Sequence, residues 1–365
     1  MNNMSNDYLL ISYTKLVDFC KRLFCSYGFS AKESVSITEV LLRADLYGIE
    51  SHGVQRLVRY HEEIGSGVVD VYGKTEIVGE TPVSTVIDAH KVMGQLAGIE
   101  GMNLAMKKAS VTGIGMVTVR NSNHYGIAAY YTALAVQEDM IGICMTNTEA
   151  ICVPTNGKQA MLGTNPIAFA MPADPIPFSF DAATTVVPRG TLEVYDKNGK
   201  SLPAGWAVDT VGLSTQDTGA VLDAIIGKKG GGGIAPLGGI GELSGGHKGY
   251  GLATMVDICT GILSGGLTSN HINVKPGETG ICHYFAAIDY GMFGDKKELR
   301  ARLSTFLREL RDSPKADGAE RIYTHGEKEA ETTAVRMNGL IPMNGKTLQE
   351  VQNIAALQGV VFDLL

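Results

Sequence analysis

Apolar positions along this chain switch repeatedly between a helical and a strand period, and the switches mark out alternating elements. Helical spacing runs over residues 12–27, and a second helix is expected over 30–47. Ser30 with Glu33 three residues on has the spacing of a capping box, in which each residue satisfies a backbone donor of the other. Gly28 and Gly48 stand where helices commonly close on a left-handed residue. A strand over 83–88 and a helix over 94–112 follow, then an apolar run over 114–119 that reads as a buried strand, then an alanine-rich helix over 126–137. Further strands are expected at 141–146, 167–171, 178–181 and 283–289. The apolar stretch 248–263 predicts a core helix, and helices at 296–311 and 347–357 are expected to pack back on the N-terminal ones. This is a mixed α/β chain with no repeat or heptad. Four consecutive glycines in residues 227–233 have no preferred backbone state, so that stretch is expected to be a mobile loop beside the site.

Composition narrows the function classes. The chain has 365 residues, enough for two domains or one large one. Its 44% hydrophobic and 19% charged residues describe an ordered α/β protein rather than a disordered one. A formal charge of -7 argues against nucleic acid or an anionic membrane as partner, since neither is held without a basic surface. The six cysteines, Cys20, Cys25, Cys144, Cys152, Cys259 and Cys282, form no CxxC pair and read as reduced thiols of a cytoplasmic protein. No secretory signal is read at the N-terminus, and the stretch 252–267 is too short and too interrupted to span a bilayer.

Two histidine loops carry the chemistry. Ser51-His52-Gly53 precedes a helix expected to start near Val54, on which Arg56 and Tyr60, four apart, are expected to point at one small anion. Ser51 can bond the imidazole and set its tautomer, and Gly53 allows close backbone approach. His124 follows the strand over 114–119, in the strand-to-helix loop where α/β proteins usually hold their sites. Arg59 and His61 are read as ordinary surface residues of the helix, and His90, His271 and His283 are left without a role. No HExxH and no thiolate cluster suggest a metal, GxSxG is absent, and Lys248 is disfavoured as a Schiff base. The nearest approach to a dinucleotide fingerprint, Gly239-Ile240-Gly241 with Gly245, has the wrong spacing and follows no strand, so a Rossmann site is rejected.

The ordered blocks SHGVQRLVRY, NSNHYG, TNTEAICVPTNGKQAMLGTNPIAFAMP, FDAATT, LPAGWAVD, GGHKGYGLATMVDICTGILSGG and RIYTHGEKEAE resemble the type-2 malate/L-lactate dehydrogenases over nearly the whole chain. That family includes ureidoglycolate, sulfolactate and diketogulonate dehydrogenases and reductases. The resemblance implies a mixed-sheet, non-Rossmann NAD(P)-binding fold with an N-terminal helical region, and a homodimer with each site near the subunit contact. It implies hydride transfer between NAD or NADP and a small 2-oxo or 2-hydroxy acid, with oxaloacetate and malate favoured. Lactate, ureidoglycolate or sulfolactate are the alternatives, as is a non-catalytic metabolite binder on the same scaffold.

His52 and His124 are expected to share the acid/base role, with Ser51, Arg56 and Tyr60 completing the catalytic group and Arg56 clamping the substrate carboxylate. Carried over residue by residue, the cofactor is expected against Thr148, Asp181, Ala182, Ala183, Thr184, His247, Lys248, His325, Gly326 and Glu327. The chain departs from the family pattern around residues 187–192 and 230–233. Residues 1–120 with 300–365 are expected to form a helical, substrate and dimerisation domain, and 121–299 the NAD(P)-binding domain.

Overall fold

The structure, a computed structural model, describes residues 8–227, 230–274 and 280–365. A short strand β1 (Tyr8–Ser12) leads into α1 (Tyr13–Ser26) and α2 (Ala31–Tyr47). The capping box at Ser30 is formed in both directions, and Gly48 closes α2 at φ +83°. Two short 3-10 turns, Glu50–His52 and Val54–Arg56, precede α3 (Leu57–Gly65). Arg56 therefore lies on a turn ahead of the helix rather than one turn into it.

Next come β2 (Glu76–Glu80), β3 (Ser84–Asp88), α4 (Gly94–Thr112), β4 (Ile114–Ser122), α5 (Ala128–Gln137), β5 (Ile141–Thr146), β6 (Ile167–Met171) and β7 (Phe178–Ala182). A smaller lobe follows with α6 (Arg189–Lys197), β8 (Ala207–Val208), α7 (Thr218–Gly227) and β9 (Gly233–Ile234). The chain ends through α8 (Gly246–Asp257), β10 (Ile281–Ile288), α9 (Lys296–Asp312), α10 (Glu327–Arg336), β11 (Leu340–Asn344) and α11 (Gly345–Leu357).

Seven strands form one mixed sheet in the order β2-β3-β4-β10-β5-β6-β7. Only β3 and β4 run parallel, and α4 is the crossover between them. The boundary expected at residue 120 falls inside β4, and the sheet combines strands from both sides of it. Small residues let the helices lie close to the sheet: a Cβ at Gly101 would meet the Phe285 ring at 2.6 Å, and one at Gly115 the Ala105 carbonyl at 2.0 Å. Ala97, Met102, Ala105 and Ala109 of α4 pack with Val117, Val119, Phe285 and Ala287 into the core on that face.

A second core joins the two ends of the chain. Leu16, Phe19, Leu23, Ile37 and Leu41 pack with Leu348, Val351 and Ile354 of α11, and β1 pairs antiparallel with β11. The expected return of α11 onto the N-terminal helices is thus formed, whereas α9 is tied elsewhere, to Asp174 through Arg300 at 2.6 Å.

Two expectations fail for packing reasons. Residues 228 and 229 of the glycine-rich stretch lie outside the described residues, but Gly231, Gly232 and Gly233 are buried, and Gly232 donates its N–H to the Lys158 carbonyl at 2.6 Å. A Cβ at Gly233 would meet the Ile151 carbonyl at 2.8 Å, so these glycines serve close packing rather than a mobile loop. The stretch expected to be a core helix ends its α-helical part at Asp257 and continues as a π-turn over Ile258–Ile262. It leaves Met255, Ile258, Ile262 and Leu263 exposed, so only one of its faces belongs to the core. Among the described residues no helix is long and apolar enough to cross a membrane.

Candidate active site

The two histidine loops meet. The rings of His52 and His124 stack with centroids 5.6 Å apart and planes 29° from parallel. Each ring is held at Nδ1: Ser51 Oγ lies 2.9 Å from that of His52, and Tyr60 Oη 2.8 Å from that of His124. Both imidazoles therefore keep Nε2 for another partner.

The first loop is shaped by a residue the sequence reading passed over. Asp45 of α2 is buried, its carboxylate accepts the Val54 N–H at 2.9 Å, and a Cβ at Gly53 would lie 2.0 Å from its oxygen. Gly53 makes room for Asp45 and not, as expected, for a ligand. Burial pushes the Asp45 carboxyl up to about 7, against the Val54 bond and Arg336, which lower it.

The second loop is set by the ends of β3 and β4. Asn123 Nδ2 donates to the Lys91 and Val92 carbonyls, and Gly94, the first residue of α4, lies so close that a Cβ there would sit 2.5 Å from the His124 carbonyl oxygen. Behind it, His283 stacks on Tyr125 at 4.3 Å, with Nδ1 beside Thr146 Oγ1 and Nε2 beside Ser122 Oγ. His283 is thus a fully bonded core histidine, its pKa pressed down to about 3 by burial. Its place in a strand gave no signal of this partnership.

Electrostatics keep both site imidazoles neutral in the free protein. Burial, then the charges of Arg56 and Arg59, press His52 down to about 4. Burial, then Arg59, His52, Arg56 and His283, press His124 well below the ordinary histidine value. Arg59 is paired with Glu63 at 2.7 Å, as an ordinary helix arginine would be, yet its charge reaches both rings. Arg56 Nε donates to the Ser51 carbonyl at 2.6 Å, and among the described residues no carboxylate pairs with this half-buried guanidinium. Glu193 and Arg189 of α6, themselves paired at 2.9 Å, also act on its charge. Tyr60 departs from expectation: it is 1% exposed and its hydroxyl meets His124, so it supports that ring rather than pointing with Arg56 at a shared anion.

The remaining expected residues fall in three places. Asp181, at the end of β7, accepts the Ala129 N–H at 2.8 Å and so caps the helix that follows His124. Burial lifts its carboxyl to about 6. Thr184 donates to the Thr164 and Asn165 carbonyls, and Thr148 Oγ1 accepts the Thr164 N–H at 3.0 Å, joining the ends of β5 and β6. Ala182 and Ala183 lie between Asp181 and Thr184 on the same edge.

His247 and Lys248 are exposed in the first turn of α8, whose N-cap Gly245 offers no side-chain cap; the Lys248 N–H bonds the Gly245 carbonyl at 2.9 Å, leaving the N–H groups of Gly246 and His247 at the helix start. These donors and the lysine charge fit a phosphate. His325 lies against Phe178 and Phe180, and Gly326 takes φ +99° against Pro177 and Ser179. Glu327 is buried, accepts the Thr324 N–H at 2.7 Å and pairs with Arg321 at 3.2 Å, which leaves its carboxylate a structural role.

A buried polar network also missed by the sequence reading anchors α8. Asp257 accepts from Asn147, Asn165 and the Ser269 N–H at 3.0–3.1 Å. Among the described residues no group of histidine, cysteine and acidic side chains is suited to hold a metal.

Comparison with known proteins decides the family. A family model described as malate/L-lactate dehydrogenase matches residues 11–352. The chain belongs to the malate/L-lactate dehydrogenase family. Malate dehydrogenase of Pyrococcus abyssi is 44% identical over 358 residues, covering 98% of this chain and 97% of its own. L-sulfolactate dehydrogenase of Methanocaldococcus jannaschii is 35% identical, covering 89% of each. The solved structure of malate dehydrogenase from Pyrococcus horikoshii superposes with a TM-score of 0.89 at 40% identity, covering 99% of both chains. The expected fold is thereby borne out, and the chain is a dehydrogenase that takes a nicotinamide cofactor and a small 2-hydroxy acid.

Proposed function

We propose that this dehydrogenase interconverts oxaloacetate and malate, with His124 as acid/base and Arg56 as the carboxylate clamp. The observation that carries the reading is Arg56 itself: a half-buried guanidinium, with no carboxylate partner among the described residues, beside two neutral imidazoles. Such a group favours an anion that enters with the substrate. Relatives named for malate and for L-sulfolactate act on acids charged at both ends, which favours a dianionic substrate here.

A nicotinamide cofactor, when bound, would supply the hydride that the carbonyl carbon of the 2-oxo acid takes up. His124, held at Nδ1 by Tyr60, gives a proton from Nε2 to the carbonyl oxygen, and takes it back in the reverse direction. His52, held at Nδ1 by the Ser51 hydroxyl, orients the substrate beside it. Arg56 fixes the carboxylate, which brings the reacting carbons into register.

His247 and Lys248 in the first turn of α8 would hold the phosphates of NAD or NADP. Thr148, the edge from Asp181 through Ala182 and Ala183 to Thr184, and the turn of His325, Gly326 and Glu327 would supply the remaining contacts. The bonded side chains of Asp181, Thr184 and Glu327 act by shaping backbone. The protein works as a cytoplasmic homodimer. The division into a helical substrate part and a cofactor part is functional, since the sheet is shared.

NADH and NADPH oxidation with oxaloacetate, 3-sulfopyruvate and pyruvate tests the reading. Oxaloacetate is expected to give the highest kcat/KM. A higher value with pyruvate would overturn the dicarboxylate assignment.

A further inference from the structure

His283 lies on β10, the strand between β4 and β5 in the sheet, opposite Val119 on one side and Thr146 on the other. Both neighbours run antiparallel to β10, so their C-terminal ends reach the same edge, where β4 leads into His124 and β5 into Thr148. The imidazole is 0% exposed, with Nδ1 2.8 Å from Thr146 Oγ1 and Nε2 2.9 Å from Ser122 Oγ. One ring therefore meets the last residue of β4 and the last residue of β5.

Ser122 reaches that ring only because β4 is bulged. Between Ser122, opposite Ile281, and Val119, opposite His283, two residues, Arg120 and Asn121, face the single Cys282, and Asn121 takes φ +53°. Side chains alternate across a regular strand, so without the extra residue Ser122 would point to the face opposite Val119. The bulge turns it to the face of Val119 and His283, just ahead of Asn123 and His124. Tyr125, the residue after His124, lies flat on the His283 ring at 4.3 Å with planes 7° apart, and Tyr131 stacks on Tyr125 in turn at 4.7 Å. The chain on both sides of His124 is thus held to one ring. An apolar side chain would fill the same space with no polar atoms to satisfy, so packing alone does not call for a histidine here.

We propose that His283 is a positioning residue: by bonding Ser122 and Thr146 at once it fixes the bulged end of β4 against the end of β5, and so sets the spacing between His124 and Thr148. A neutral imidazole has one donor and one acceptor, so it gives a hydrogen bond to one hydroxyl and takes one from the other, which ties both strand ends to it. His283 touches no substrate and acts through Ser122 and Tyr125. Its effect on catalysis rests on the assignment of His124 as acid/base, while the bracing of the two strand ends is read without any activity.

The test uses the full chain with ¹⁵N in its histidine rings, His124 being assigned by comparison with His124→Asn. Two variants separate the ring from its bonds: His283→Phe keeps a ring on Tyr125 and loses both bonds, and His283→Gln loses the ring and keeps a donor and an acceptor. In His283→Phe the ¹⁵N shifts of His124, which follow its bond to Tyr60, are expected to move, while those of His61, bonded to Tyr27, stay in place. Wild-type His124 shifts in a folded His283→Phe would overturn the proposal. Ser122→Ala removes one partner by a change small enough to fold, so it answers the question if the phenylalanine variant does not; it is expected to move the same His124 signals, and wild-type signals there count against the proposal.

With oxaloacetate and NADH, His283→Phe is expected to lower kcat about tenfold with both KM values unchanged, since what is lost is the alignment of a bound substrate with its proton donor. His283→Gln is expected to retain more of kcat than His283→Phe, and the reverse order would assign the histidine to packing and overturn the proposal. In a Ser122→Ala background His283→Phe is expected to cost less kcat than it does alone; full additivity would show that the two do not act together. Moved His124 signals in the variants of a protein that reduces no oxaloacetate would leave the bracing intact and sink the functional assignment instead.

Discussion

On the proposed reading, Arg56 selects which molecules the site holds. Its guanidinium bonds the Ser51 carbonyl and, among the described residues, pairs with no carboxylate, which favours an incoming anion. Arg56→Ala is expected to cost about 2–3 kcal/mol of transition-state binding, appearing mainly as a raised KM for the 2-oxo acid. Steady-state kinetics check this, and an unchanged kcat/KM would remove Arg56 from the site. The histidines make a second demand. With His52 pressed down to about 4 and His124 lower than its ordinary value, both are neutral at pH 7 in the free protein. A neutral ring is ready to accept a proton from a hydroxy acid but must acquire one before reducing an oxo acid. Oxidation kcat/KM is therefore expected to be flat with respect to these groups from pH 6 upward, while reduction kcat/KM falls about tenfold per pH unit over pH 6–8. Profiles measured in both directions decide, and a reduction rate independent of pH over that window would contradict the neutral-imidazole account.

Elements place these residues, and most elements were legible. The helix Gly94–Thr112 and the strands Ile141–Thr146 and Ile167–Met171 follow from periodicity alone, and the Ser30 capping box from two letters three apart. The loops that meet in space, His52 with His124, were joined only by the resemblance, because 72 positions of sequence carry no local sign of contact (124 − 52). Tyr60 was read as facing an anion since i to i+4 spacing gives a shared helix face, but Arg56 sits on a 3-10 turn and that geometry does not apply. Asp45 was passed over and His283 left without a role because a lone polar residue in an apolar run looks the same whether it is buried or not. Element α8 carries the clearest prediction at this scale. Its open N-terminus and exposed Lys248 lead us to expect that Lys248→Ala weakens NAD(P)H binding several-fold, as one charge at a helix terminus is worth about 0.3–1 kcal/mol. Titration by nicotinamide fluorescence measures it, and an equal dissociation constant for both proteins would take α8 out of the cofactor site.

At the scale of the whole molecule, the site lies where the N-terminal helical core meets the sheet, so its loops depend on α2 as well as on β4. Asp45 is the joint, buried between them and bonded to Val54. Its carboxyl rises from 3.8 in the unfolded chain to about 7 in the fold, so between those values the folded state binds more protons than the unfolded one. Asp45 therefore contributes a stability that is greatest below pH 4 and lost as pH rises toward 7. Other groups superimpose their own slopes: His52 and His283, pressed down, favour the fold as pH rises above their lowered values. Only the difference between wild type and Asp45→Asn isolates the one residue. That variant keeps an oxygen for the Val54 N–H and removes the charge, so its Tm relative to wild type is expected to climb from pH 5 to pH 8. A Tm difference that stays constant across this range would show that Asp45 keeps an ordinary carboxylate pKa and that the joint is held by packing alone.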